Sequence, residues 1–226
     1  WVDSENRIFL PFMKEVRAQR NANDDGSFEE RLWKEIGNSL YGKLAQGLRK
    51  RSVFDSSTGL SKPIPHSQIT NPYYAMYVTS VARALMTEMM LGIDTDKHHV
   101  GSVTTDGFIT TADLDKGEIK LDGPVCSRFR ECYHMIEDEG LEILAKKHEV
   151  AQLVFMKTRG QETVEAIEGE KQIQARAGVM LPKDTKDKHA FMRDLYFNRY
   201  AGKKVLNKHF ISKREMLIDE IDFTDE

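Results

Sequence analysis

Apolar residues recur at helical spacing near the start of the chain. Ile8, Phe9, Phe12, Met13 and Val16 mark one face of a helix reaching about Asn21, with Ser4 as its candidate N-cap. Asn23-Asp24-Asp25-Gly26 predicts a turn, after which Ser27 caps a second helix and Glu30 completes a capping box. Phe28, Leu32, Ile36, Leu40 and Leu44 form its apolar stripe at i, i+4 steps. Gly37 and Gly42 interrupt that helix at a cost of about 1 kcal/mol each relative to Ala. They imply close approach of something to the backbone.

The pattern loosens over residues 48–72, where Ser56-Ser57-Thr58-Gly59, Pro63, Pro65 and Asn71-Pro72 predict loop. An Ala- and Met-rich helix follows, over about residues 73–92. Residues 100–111 are the most strand-like, and Asp106-Gly107 within them predicts a hairpin with a type I′ turn. A helix over 125–148 would turn Phe129, Cys132, Tyr133, Ile136, Leu141 and Leu144 inward. Residues 150–156, 163–168 and 172–180 alternate like antiparallel strands. Residues 188–204 read as a last helix with Phe191, Leu195 and Phe197 on one side. The fold class is α+β: helices packed against a small antiparallel sheet, with a protruding helix pair.

Charge changes this picture more than composition does. The net charge of -3 argues against a nucleic-acid binder. Its distribution argues the other way. Residues 171–214 hold 12 Lys and Arg against 3 acids, and residues 215–226 hold 6 acids and no base. Residues 43–62 are basic as well, with Lys43, Arg49, Lys50, Arg51 and Lys62 against Asp55. No run of about 18 apolar residues is present, so no membrane span is expected. Cys126 and Cys132 are too few for a disulfide scaffold, and their spacing with His134 matches no common zinc pattern. A reducing, cytoplasmic setting is expected. The chain starts at Trp1 with no Met and no signal-like stretch, as expected for a piece of something longer.

The chemistry starts on the second helix. Lys34, Asn38 and Tyr41 lie at i, i+4 and i+7, so a cation, an amide and a phenol share one face bordered by glycines. Such a face suits a charged planar ligand; the alternative is a solvated helix surface. The string Lys34-Glu35-Ile36-Gly37-Asn38-Ser39-Leu40-Tyr41-Gly42 resembles motif B of family B DNA polymerases, K-x3-N-S-x-Y-G, at every defined position. Ser102-Val103-Thr104-Thr105-Asp106-Gly107 is similar to motif C, Y-x-D-T-D-S, but keeps only the second Asp, as Asp106. Thr104 replaces the first Asp, and Gly107 replaces the Ser. Thr79-Ser80-Val81-Ala82-Arg83 resembles the T-x-x-A-R stretch of protein-primed phage and plasmid polymerases. Lys157-Thr158-Arg159 is similar to the K-x-Y motif near the primer terminus, with Arg159 where Tyr is usual. The four pieces follow family order.

The resemblance implies a fragment of such a polymerase, with fingers at 1–47, a palm at 48–184 and a partial thumb at 185–226. It implies a catalytic metal ligand in Asp106 and a triphosphate contact in Lys34. Asn38, Tyr41 and Gly42 would complete the nucleotide site, with Arg17 and Arg20 as further phosphate contacts. Lys157, Thr158, Arg159, Thr79 and Arg83 would bind primer and DNA. Partners would be primer–template DNA, a deoxynucleotide and a terminal protein primer. Two Mg2+ ions would serve the full-length enzyme only, because motif A, D-x-x-S-L-Y-P, is absent here and the chain alone should be silent. The central expectation is that Asp106 faces the Lys34–Asn38–Tyr41 row across a cleft wide enough for a deoxynucleotide. One alternative is a polymerase-derived module that binds nucleic acid without catalysing, with Thr104, Gly107 and Arg159 as signs of decay. The other is a helical interaction protein with no nucleic-acid role.

Overall fold

The structure, a computed structural model, describes residues 7–137 and 140–205. The Ser4 cap, the acidic run 215–226 and the thumb beyond 205 lie outside the described residues. Packing divides the chain into two units. The first takes residues up to Gly92 together with Lys120–Ala145; the second takes Ile93–Ile119 and residues from Lys146 onward.

In the first unit, α1 (Leu10–Asn21) and α2 (Phe28–Leu44) form the expected hairpin. Gly26 makes the turn at a φ of +77°, and the Ser27 hydroxyl accepts from Glu30 N at 3.1 Å. The capping box is only half formed. Ser27 N donates to the Asp24 carbonyl, while the buried Glu30 carboxylate takes Arg20 Nε and Nη2 at 3.0 and 2.6 Å. That guanidinium holds the Glu30 carboxyl below its ordinary range.

The face of α2 that packs matches the expected stripe at Ile36, Leu40 and Leu44 but not at Phe28 and Leu32. Glu30 and Leu44 are buried and Trp33, Gly37 and Leu40 half-buried, whereas Phe28 and Leu32 are exposed. Strict i+4 steps drift about 40° around the helix at each step; alternating 3 and 4 keeps one seam. Gly37 lies on that seam. A Cβ there would stand 3.0 Å from Val16 Cγ1, whereas one on Gly42 would meet nothing within 4 Å. Close approach therefore holds for Gly37 and not for Gly42.

The last carbonyls of α2 are taken up by the segment that leads into α3 (Pro72–Leu91). Ser67 Oγ donates to Lys43 O at 2.7 Å, Thr70 Oγ1 to Gln46 O at 2.9 Å, and Asn71 N to Leu44 O at 3.0 Å. Asn71 then caps α3 through Tyr73 N and Tyr74 N. The expected loop before it contains an exposed two-stranded hairpin, β1 (Ser52–Asp55) and β2 (Leu60–Pro63). Its local bonds centre on Asp55, which accepts from Ser57 N and Lys62 Nζ.

α3 buries Ala75, Leu85, Met86 and Met89, and α4 (Pro124–Tyr133) packs on it. Glu88 of α3 caps α4 from outside, accepting from Val125 N at 3.1 Å and Cys126 N at 2.5 Å. A Cβ on Gly123 would collide with that carboxylate. α4 ends at Tyr133, well short of residue 148, and Cys132 is exposed while Cys126 is fully buried. Gly140, inside the expected span, costs a helix interior about 1 kcal/mol relative to Ala.

The second unit holds the hairpin of β3 (Val100–Val103) and β4 (Phe108–Thr110), and an antiparallel sheet of β5 (Val154–Lys157), β6 (Gly160–Glu162) and β7 (Ile173–Arg176). The middle strand is not residues 163–168. That stretch turns away because the Gln172 side chain satisfies it locally, accepting from Ile167 N and Thr163 Oγ1 and donating to Glu170 O. α5 (Lys188–Phe197) starts at an Asp187 cap and ends sooner than residue 204. It buries His189, Met192 and Tyr196, leaving Phe197 exposed. Among the described residues no helix is long and apolar enough to cross a membrane.

Candidate nucleotide and nucleic-acid site

The row on α2 is presented as its spacing predicts. Lys34, Asn38 and Tyr41 are all exposed, and none of their side chains makes a hydrogen bond or ion pair among the described residues. Gly42 leaves open space beside Tyr41. The α2 end is pinned through Ser67, Thr70 and Asn71, so this row projects from an anchored helix rather than a frayed one.

Arg17 and Arg20, the expected extra phosphate contacts on α1, already have carboxylate partners. Arg20 holds Glu30. Arg17 Nε lies 2.8 Å from Glu137 Oε2, close enough for an ion pair but not aligned as a hydrogen bond. A phosphate would have to displace a carboxylate at either guanidinium. On α3, Thr79 and Arg83 lie one turn apart. The Thr79 hydroxyl donates to Met76 O and Ala75 O of its own helix, leaving the exposed Arg83 as the free donor of this pair. Arg49, Lys50 and Arg51, at the root of the β1–β2 hairpin, are exposed with no carboxylate partner among the described residues.

Asp106 and the Lys157-Thr158-Arg159 segment belong together in the second unit. Asp106 is exposed in the tip between β3 and β4, with Thr105 Oγ1 at 3.3 Å from its Oδ1. The tip is not the expected type I′ turn: neither Thr105 nor Asp106 has a positive φ. Instead Thr104 N and Thr104 Oγ1 both donate to Gly107 O, at 2.8 and 3.0 Å. Thr105 and Asp106 thus take the two central positions, and Gly107 takes the closing one, which type I turns favour for Gly.

β3 is tied to the other hairpin at two places. Gln161 Nε2 donates to Ser102 Oγ at 3.1 Å, and a Cβ on Gly101 would strike the Phe155 ring. Nothing in the local sequence signals the Gln161–Ser102 bond, whose partners lie 59 positions apart. The side chains of Met156 and Lys157 lie outside what the structure describes. Thr158 and Arg159 are exposed at the tip between β5 and β6, and Arg159 holds a φ of +62°. Its carbonyl accepts from Ala177 N at 2.6 Å, and Ala177 is itself at +55°. A long side chain kept in the left-handed region is a strained choice that calls for a compensating role.

Two other groups are set aside by their surroundings. Burial, reinforced by the Glu88 carboxylate, pushes the Cys126 thiol up to about 11, so it is no nucleophile. Asp106 contributes a single carboxylate, and among the described residues no group of three or more His, Cys, Asp or Glu could hold a metal ion.

No family model matches the chain, and no solved structure matches it. The chain is similar to the primer-independent DNA polymerase PolB of Escherichia coli, with 48% identity over 217 residues. The alignment covers 95% of this chain and 25% of that protein, so the chain spans about a quarter of the length of the curated relative it matches. Nearly all of it is thus similar to one segment of a DNA polymerase.

Proposed function

We propose that the chain serves template-directed addition of deoxynucleotides to a primer 3′ end, as part of a DNA polymerase. What supports this most is the Lys34–Asn38–Tyr41 row, exposed and unpartnered on an anchored helix, in a chain similar over nearly its whole length to a polymerase segment. In such a reaction the primer hydroxyl attacks the α-phosphate and pyrophosphate leaves in line, so the protein's work is positioning and charge neutralisation. Lys34 meets the triphosphate as a compact point charge. Tyr41 lies under the nascent base pair and crowds the sugar against a 2′-hydroxyl; Asn38 orients the nucleotide, and Gly42 leaves room for it. Arg83 and the Lys157-Thr158-Arg159 tip hold primer and template backbone, and the basic residues after Lys171 grip duplex without reading sequence. Asp106 supplies a carboxylate for the metal-assisted step in the longer polymerase.

The described residues do not fit a two-magnesium centre, since Asp106 stands alone as a carboxylate in its turn. Magnesium therefore belongs to the proposal only for a longer polymerase, and the chain alone is catalytically silent. The relative's name describes initiation without a primer, so a terminal protein is left out of the proposal.

Binding of a fluorescent primer–template duplex tests the reading. Affinity should fall steeply with salt, with a log–log slope of about -0.9 per phosphate neutralised. Lys34→Ala should weaken retention of a deoxynucleoside triphosphate on that complex by about tenfold or more, the scale of a charged hydrogen bond. Absent or salt-independent DNA binding would sink the reading. In the longer polymerase, equal extension by the parent and Asp106→Ala would remove Asp106 from the site.

One observation favours the non-catalytic alternative. Thr104, at the position of the first motif C carboxylate, spends its amide and hydroxyl on closing the turn. Extension-dead full-length protein that still binds duplex would select that reading.

A further inference from the structure

Glu162 ends β6, three residues beyond the Arg159 tip, and its side chain is fully buried. Neither carboxylate oxygen has a hydrogen-bond partner among the described residues. The Tyr196 hydroxyl on α5 is likewise buried and unpartnered. On α5, His189 Nε2 donates to Thr163 O at 2.7 Å and contacts Thr163 Oγ1, Arg193 Nη1 reaches Val164 O at 3.5 Å, and Lys188 and Asp194 are exposed. On the neighbouring strands the charged residues are Lys157, whose side chain lies outside the description, and Arg176, which is exposed at the end of β7. A buried carboxylate without a hydrogen bond is unfavourable when charged, and such a group stays neutral or draws water in.

We infer that Glu162 and Tyr196 form a proton-dependent latch that docks α5 on the β5–β6 hairpin. In its neutral form Glu162 is tolerated between β6 and α5, and the interface stays closed. When it gives its proton to solvent, the anion can be hydrated only if α5 moves off the hairpin. Burial, offset only in part by His189 and Arg193, pushes the Glu162 carboxyl up to about 7, so the change falls near neutral pH. Glu162 is thus a positioning residue, acting on the Lys157-Thr158-Arg159 tip through the hairpin and α5. Only this last use rests on the proposed polymerase reading.

Amide hydrogen exchange on the whole chain tests the latch. Corrected for intrinsic rates, protection across α5 should drop at least tenfold between pH 6 and pH 8.5, with a midpoint near 7. Glu162→Gln, which cannot ionise, should show no such drop. Wild-type protection that stays constant, or an equal loss in the variant, overturns the latch. Should the variant fail to fold, infrared difference spectra of the wild type decide. A protonated carboxyl band present at pH 6 and lost at pH 8.5, with the midpoint of the exchange change, upholds the latch; no such band overturns it. Duplex affinity measured over the same range separates the two ideas. Lost protection with unchanged affinity keeps the latch and removes the hairpin from primer binding.

Discussion

Val16 packs so closely on Gly37 that a methyl group placed on the glycine would stand 3.0 Å from Val16 Cγ1, tighter than most side-chain contacts. Gly37→Ala gains about 1 kcal/mol of helix propensity but overfills the seam at about 1–3 kcal/mol. A net loss of up to about 2 kcal/mol is expected from denaturant unfolding. In the Val16→Ala background the same change should be neutral or stabilising, because the two positions are coupled.

Gly42 gives the opposite outcome. A Cβ there meets nothing, so Gly42→Ala should stabilise the chain by up to about 1 kcal/mol. If a nucleotide lies against that backbone, the same substitution should weaken triphosphate retention. A gain in stability with no loss of retention would make Gly42 a bystander.

Arg159 carries a strain that glycine would relieve. Arg159→Gly should raise stability by up to about 1 kcal/mol, the left-handed penalty less the entropy of the unfolded glycine. Duplex affinity should fall in the same variant and lose part of its salt slope. Stability rising while affinity stays fixed would leave the tip without a DNA role.

Glu88 makes a pH prediction of ordinary sign. Burial opposes its ionisation, but the bonds from Cys126 N and Val125 N outweigh it and hold the carboxyl below the usual range. The folded state therefore binds fewer protons than the unfolded one, and the capping contribution is present above about pH 4.3 and lost as pH falls through the lowered value. The stability gap between wild type and Glu88→Gln should shrink on acidification. A gap independent of pH would mean that the carboxylate's charge plays no part in capping α4.

What was legible in the sequence was local. Asn23 through Ser27 announce the α1–α2 turn because turn and cap chemistry act over a few residues. Lys34, Asn38 and Tyr41 could be put on one face because they share a helix. The first turns of the α2 seam were misplaced because Glu30 is buried by an ion pair with Arg20, which a reading that looks only for apolar residues passes over. Arg17 and Arg20 looked available for phosphate because Glu137, partner of the first, lies 120 positions away in sequence. Residues 163–168 looked like a strand because the amide of Gln172, which holds them as a loop, is visible only once the chain is folded.

Between α2 and α3 the chain departs from the helices and returns to them at one spot. Gly47 abuts His66, Gln46 Nε2 reaches Pro65 O, and Ile64 N bonds to Arg51 O. Everything between is an outlying ribbon whose length is decoupled from the helices it joins, and lengthening such an excursion costs only about 0.6 kcal/mol per doubling. That root is a natural splice port. Relatives could enlarge or trim the segment, and an engineer could graft a foreign module there, while α2 keeps its footing.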